Sequence, residues 1–339
     1  MKKINSTLAA FFLIGLCLFA FAAESDAATK KMKLSHPRPL TTLMHQDMEL
    51  FAAKVKEYTE GRVELILYGA GQLGSSEAVM ESVGMGTVEI MLGWPNTTLD
   101  QRLEVYSMTG LAMNYDEAAK VYKQGSPYMD ILQDVYASQN HKILATYPTS
   151  FCCMSFIKEP KDIYNPEAKH TEKMRVAPIN ALRYMPEAIG YITSPVPWGE
   201  TFTALQTGVV DGLGHLGPEL TYLTFRNVIK YYFPVNLYLD VYLLSINLEL
   251  WEELSQADRD AISKAAAEIE VKRFKDAPDE QQSWVDKLEE SGVKILPITD
   301  EQQTTLQLKV RDFVWTNIKN DIGLEFFEKV TKAAEESKK

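Results

Sequence analysis

From Met32 to Leu92 the apolar residues change period repeatedly, and that alternation narrows the chain to one broad fold class. Met32-Lys33-Leu34-Ser35 reads as a short strand, ended by His36-Pro37-Arg38-Pro39. Met44, Met48, Phe51, Val55 and Tyr58 then recur three or four apart, one face of a helix that Gly61 ends. Val63, Leu65 and Leu67 alternate as in a strand running up to Tyr68-Gly69-Ala70-Gly71. Val79 and Val83 mark a second helix, and Thr87–Leu92 a further strand. Strand–helix–strand–helix–strand implies a mostly parallel sheet with helices on its faces.

The same order returns in the middle of the chain. Lys142–Tyr147, Met154–Ile157 and Lys173–Val176 read as strands, Arg183–Ile189 and Thr201–Thr207 as helices, and Val209–Asp211 as the start of another strand. Val235–Asn247 is extended and rich in Tyr, Leu and Val. Ser255, with Asp258 three residues on, resembles a capping box. Ile262, Ala265, Ala266 and Ile269 follow at helical spacing, and Pro278 is expected to kink or interrupt that helix. Leu288 closes a second helical piece, Val293–Leu296 is a late strand, and Thr304–Lys332 is helical again. Two α/β units in 339 residues suggest two lobes, with a ligand cleft between them.

The N-terminus sets the compartment. Lys2 and Lys3 precede an apolar run, Leu8–Ala20, which is shorter than the ~20 residues a bilayer span needs. Ala20-Phe21-Ala22 and Ser25-Asp26-Ala27 supply small residues for cleavage, so residues 1–27 read as a secretory signal peptide. Its removal takes two basic and two acidic residues, leaving the net charge of −11 unchanged. So acidic a chain, without a basic patch, argues against a nucleic-acid partner. Of three cysteines only the neighbours Cys152 and Cys153 remain, which excludes a disulfide scaffold. A soluble, monomeric, periplasmic protein is expected.

Catalytic and metal motifs are mostly missing. None of the five histidines has zinc-ligand spacing, and no GxSxG or Walker loop occurs. Gly69-Ala70-Gly71-Gln72-Leu73-Gly74 spells GxGxxG after a strand, but only the mid-strand Glu89 stands near the position of a ribose-binding acid. It reads as a glycine turn into a helix N-terminus facing the cleft. Cys152 would be a nucleophile only with a base such as His141 or His170 beside it. No cofactor, metal or catalytic residue is expected.

Five segments, in order along the chain, carry a resemblance. Pro195-Val196-Pro197-Trp198-Gly199-Glu200-Thr201-Phe202 through Gly208-Val209-Val210-Asp211-Gly212 is similar to the central signature of the DctP family, the periplasmic solute-binding subunits of TRAP transporters. Gly71-Gln72-Leu73-Gly74, Gly86-Thr87-Val88-Glu89-Ile90, Met174-Arg175-Val176 and Leu250-Trp251-Glu252-Glu253-Leu254-Ser255 resemble other family segments, so that the likeness covers about residues 30–325. It implies a two-lobed, periplasmic-binding-protein-like α/β fold with crossing strands and a long kinked helix linking the lobes. The lobes are expected at 28–148 plus about 240–278, and at 149–239 plus about 279–330. The resemblance also implies a small organic anion in the cleft, delivery to TRAP membrane permease subunits, and no enzyme activity.

It places Arg175 where the family's arginine forks onto a carboxylate, a geometry a guanidinium also offers a sulfonate. The departures are informative. Ser150-Phe151-Cys152 stands where many members read Gly-Phe-Arg, so a second cationic contact is missing and Cys152 lines the site instead. His215 stands where a ligand-binding Asn is common, and Gly214 where a calcium-binding subgroup has Glu, so calcium is not expected. Gly93-Trp94-Pro95-Asn96 replaces polar or acidic contacts, and Trp198 is often Phe. The expected ligand-binding residues are therefore Arg175, His215, Trp94, Trp198, Cys152, Tyr147, Asn96 and Gln72, and the expected ligand a monocarboxylate or sulfonate with an apolar or aromatic body. Two alternatives remain: a secreted cleft enzyme using Cys152, and a sensor subunit that presents ligand to a receptor.

Overall fold

The computed structural model describes residues 29–339, so the expected signal segment lies outside the described residues. The first unit forms as the periodicity implies. Strand β1 (Lys30–Ser35) buries Met32 and Leu34, and helix α1 (Leu43–Tyr58) lays Met44, Met48, Phe51 and Val55 against it. Strand β2 (Val63–Tyr68) pairs parallel to β1, with Met32 beside Leu65. Helix α2 (Ser76–Gly84) begins where the Ser75 side chain accepts the Ala78 N–H. Strand β3 (Ile90–Gly93) is also parallel to β1. It starts three residues later than expected, because Gly86 turns at φ +72° and Thr87 bonds back to Ser82.

A stretch the sequence reading passed over follows: a 3-10 turn (Gln101–Ser107), helix α3 (Tyr115–Val121) and helix α4 (Pro127–Ala137). Asn114 and Ser126 cap the two helices, the latter with Pro127 in the first turn.

Two long strands then tie the molecule together. Strand β4 (His141–Phe156) and strand β8 (Tyr231–Asn247) run antiparallel from His141 beside Asn247 to Phe156 beside Tyr231. The two strands expected at Lys142–Tyr147 and Met154–Ile157 are thus one. Pro148, Thr149 and Ser150 break only the register. Groups that the bulge leaves free are met from outside the ladder: Pro148 O accepts from Arg273, and the Phe151 N–H donates to Gln281 Oε1 at 2.7 Å.

Strand β5 (Lys173–Val176), helix α5 (Asn180–Ala188), strand β6 (Ile192–Pro195), helix α6 (Thr201–Gln206) and strand β7 (Gly212–Leu216) build the second unit. Edge strand β6 was not anticipated. The sheet order is β2-β1-β3-β8-β4-β7-β5-β6, so β4 and β8 belong to both units.

Helix α7 (Leu248–Glu253) leads to helix α8 (Gln256–Glu290), capped by Ser255 as expected. The expected interruption at Pro278 does not occur; α8 runs 35 residues without a break. A proline removes one N–H and crowds the carbonyl four residues back. Here Arg273 forks onto Glu280 at 2.9 and 2.6 Å, bridging the turns on either side of Pro278. Strand β9 (Lys294–Ile295) pairs with β8. The helical tail is two helices, α9 (Asp300–Ile322) and α10 (Leu324–Ser337), separated at Gly323 with φ +85°. Both share one core with residues from the 3-10 turn, α4 and α5, so this core joins elements of both units.

Candidate functional site

Arg175, next to last in strand β5, has its side chain turned into the protein, 4% exposed. Its Nε–H donates to Val196 O at 2.9 Å, and its guanidinium lies 5.8 Å from the centre of the Trp198 ring. Among the described residues no carboxylate pairs with it. Burial lowers its pKa to about 10, which leaves it charged at neutral pH.

His215 comes to the same place from strand β7. The backbone N–H of Ala177, just past the end of β5, donates to His215 Nε2 at 3.0 Å. The proton of the neutral ring must therefore sit on Nδ1, and that atom is buried with no partner. Burial, then the charge of Arg175, lowers the His215 pKa to about 3. A guanidinium and a neutral N–H donor, both with unused capacity, lie close to one another. A carboxylate or sulfonate would satisfy both.

The neutral state of His215 has a measurable consequence. A group whose folded pKa is depressed contributes fully above its unfolded value, and the contribution is lost as pH falls towards the folded one. Between about pH 6 and 4.5, His215→Asn should gain stability relative to the parent by about 1.4 kcal/mol per pH unit. Urea denaturation of both proteins across that range checks it; a constant difference would refute the buried neutral ring.

Trp198, beside the Arg175 guanidinium, is 43% exposed, its ring packed edge-on to Phe225. Tyr238 of β8 adjoins both Arg175 and His215. Cys152 is its partner in the β4–β8 ladder. Burial raises the Cys152 thiol well above its usual range, so it stays a thiol and not a nucleophilic thiolate. His141 bonds Ser245 and Met80 O, and His170 stacks on Tyr191, so neither serves as its base. Cys153 packs with the opposite core and donates to Asn236, leaving both thiols free.

Trp94 follows β3 and packs against residues of β8. Its Nε1–H donates to Asp240 Oδ1 at 3.0 Å, and its ring rests 4.8 Å from Tyr242. No hydrogen bond or ring contact joins the remaining expected residues to Arg175. Tyr147 donates to Asp47 at 2.8 Å under the guanidinium of Arg273. Asn96 spends its side chain on Glu81 and Thr98, and Gln72 is exposed on its turn. At Gly214, a Cβ would lie 2.6 Å from Pro186 Cγ, so α5 fills the place a calcium-binding side chain would need.

Sequence reasoning missed Arg38 and Asp240. Arg38 Nη2 donates to Asp240 Oδ2 at 3.4 Å, Nη1 lies 4.0 Å from Glu219, and the guanidinium sits 5.1 Å from the Tyr242 ring centre. Thr149 adds a donor to Asp240 at 3.2 Å. The available signal was an acid in the middle of an otherwise apolar strand, Tyr238-Leu239-Asp240-Val241-Tyr242.

With this geometry in hand, comparison with known proteins gives one family. The profile described as bacterial extracellular solute-binding protein, family 7 (DctP) matches residues 34–319. A solute-binding protein of Chromohalobacter salexigens is 26% identical over 303 residues, covering 88% of each chain. The 2,3-diketo-L-gulonate-binding periplasmic protein of Escherichia coli is 22% identical, covering 91% of this chain and 94% of its own. The crystal structure of a sugar acid binding protein from Advenella mimigardefordensis, in complex with galactonate, superposes with a TM-score of 0.80. It is 22% identical and covers 92% of this chain and all of its own, a likeness that shows the fold.

Proposed function

Because this chain belongs to the DctP family of bacterial extracellular solute-binding proteins, we propose that it captures a small organic anion on Arg175 and His215 and delivers it to the membrane subunits of a TRAP transporter. The observation that carries this is a buried guanidinium without a carboxylate partner among the described residues. A buried charge is normally paired, and here the missing partner is the ligand. Cation and imidazole N–H together fit a carboxylate or sulfonate. Trp198 roofs the site, and Cys152 supports Tyr238 from the neighbouring strand.

The lobes that close on the ligand are 28–148 with about 240–278, and 149–239 with about 279–330. The protein reaches the periplasm through its cleaved signal segment, residues 1–27, and works there as a monomer. No helix among the described residues is long and apolar enough to cross a membrane. Solute-binding family membership favours binding over catalysis, and so does the protonated state of the Cys152 thiol.

Mass spectrometry of small molecules released when the purified protein is denatured tests this directly. A released organic anion, whose return raises the melting temperature, is the expected result. A protein that arrives empty and does not respond to any of a panel of organic acids would overturn the proposal.

A further inference from the structure

Helix α5 has no cap of its own. Its N-cap residue is Ile179, whose side chain offers nothing to the free N–H groups of the first turn. They are met from outside the second unit. Glu104, in the 3-10 turn, accepts the Asn180 N–H on Oε1 at 3.3 Å and the Ala181 N–H on Oε2 at 3.0 Å. These partners are 76 and 77 positions away in sequence. Glu104 is 5% exposed, and burial pushes its pKa up while the two N–H groups hold it down.

A polar residue at 179 would cap the helix locally, as Ser75, Asn114 and Ser126 do for α2, α3 and α4. A local cap stabilises a helix but does not say where in the molecule it begins. A cap from a distant element fixes that place, and what lies there is the support of the anion site. Going back from Asn180, the Ile179 N–H bonds Ala177 O at 2.8 Å, across Pro178, whose ring fixes its φ. Ala177 gives its own N–H to His215 Nε2, the bond that leaves the His215 proton on Nδ1. Going forward, Pro186 of α5 packs against Gly214, the residue before His215. The segment from Ala177 to Pro186 therefore meets the His215 strand at both ends, and Glu104 grips it in between.

We propose that Glu104 is a positioning residue for anion capture: it holds the N-terminus of α5 where Ala177 keeps the His215 ring an Nδ1–H donor. With the lobes drawn as above, the anchor in one lobe is held in place by an acid of the other. The inference rests on the reading of His215 as a donor to the anion.

Nitrogen NMR of the imidazole rings in the ligand-free protein reads the tautomer directly, with His215→Asn assigning the signal. The parent should show His215 as a single Nδ1–H tautomer. Glu104→Gln leaves one acceptor for two donors and turns an amide N–H against the other. The ratio of Nδ1–H to Nε2–H forms of His215 should then fall at least about fivefold, the worth of about one net hydrogen bond. If Glu104→Gln does not fold, Glu104→Asp takes its place; it keeps the charge on a shorter arm, and the same fall is expected. The matched control is Asp321→Asn. Asp321 of α9 accepts from Asn180 Nδ2 at 3.4 Å and Tyr184 Oη at 3.1 Å, side chains of the same helix but not its backbone. Its loss should leave the ratio unchanged. A ratio unmoved by the Glu104 change, or moved equally by Asp321→Asn, overturns the proposal and leaves the anion donor standing. A parent ring that carries its proton on Nε2 overturns the reading of His215 itself.

Discussion

Arg175→Met should abolish ligand binding and, at the same time, stabilise the empty protein. Losing one partner of a desolvated charge pair costs roughly 2–5 kcal/mol in binding, or about 30- to 5000-fold in affinity. Arg175 has no competing acid to soften that loss. In the empty protein the same side chain is a liability: a buried cation with one backbone hydrogen bond and one aromatic neighbour. Methionine keeps the volume and removes the charge, so the melting temperature should rise by a few degrees. Arg175→Lys separates charge from geometry, since an ammonium lacks the planar fork; it should recover part of the affinity only. Calorimetry and thermal melts on the three proteins decide the matter. Binding within threefold of the parent in Arg175→Met would place the anchor elsewhere. A melting temperature that falls instead would mean that Arg175 is a structural residue.

Arg273→Met should be among the single changes most damaging to stability. Its guanidinium is 2% exposed and holds Glu280, Asp47 and Pro148 O together. Breaking a buried pair from one side typically costs about 3–5 kcal/mol, because the abandoned acid stays desolvated. Asp47 keeps Lys272 at 2.9 Å and the hydroxyl of Tyr147, which argues for the lower end of that range, about 3 kcal/mol. Urea denaturation followed by far-UV circular dichroism measures it. A loss under about 1 kcal/mol would show that α8 is fixed by its apolar face alone. Since Arg273 also serves the bulge in β4, the variant should unfold both units together rather than one before the other.

Much of this architecture was legible because core residues announce their faces. Met44, Met48, Phe51 and Val55 give a helix at one period, and Val63 and Leu65 a strand at another. Legibility failed where a local rule was overridden from a distance. Pro148 and two polar neighbours look like the end of a strand until Arg273 and Gln281 supply what the ladder lacks. Pro278 looks like the end of a helix until Arg273 and Glu280 span it. The anchor was readable because Arg175 lies within a motif. The buried Arg38–Asp240 pair was not, because its members are 202 residues apart and only the sheet order brings them together.

The way the chain closes on itself also bears on when it can fold. Strands β4 and β8 pair along their whole length, with the second unit between them in sequence. Ser337, two residues from the end, accepts the N–H of Tyr128 across 209 positions. Contacts so distant along the chain make folding slow, and here the last helix must emerge before the 3-10 turn and α4 are covered. For a family that works outside the cytoplasm, slow closure of contacts so far apart in sequence is an advantage, because export machinery threads extended chains.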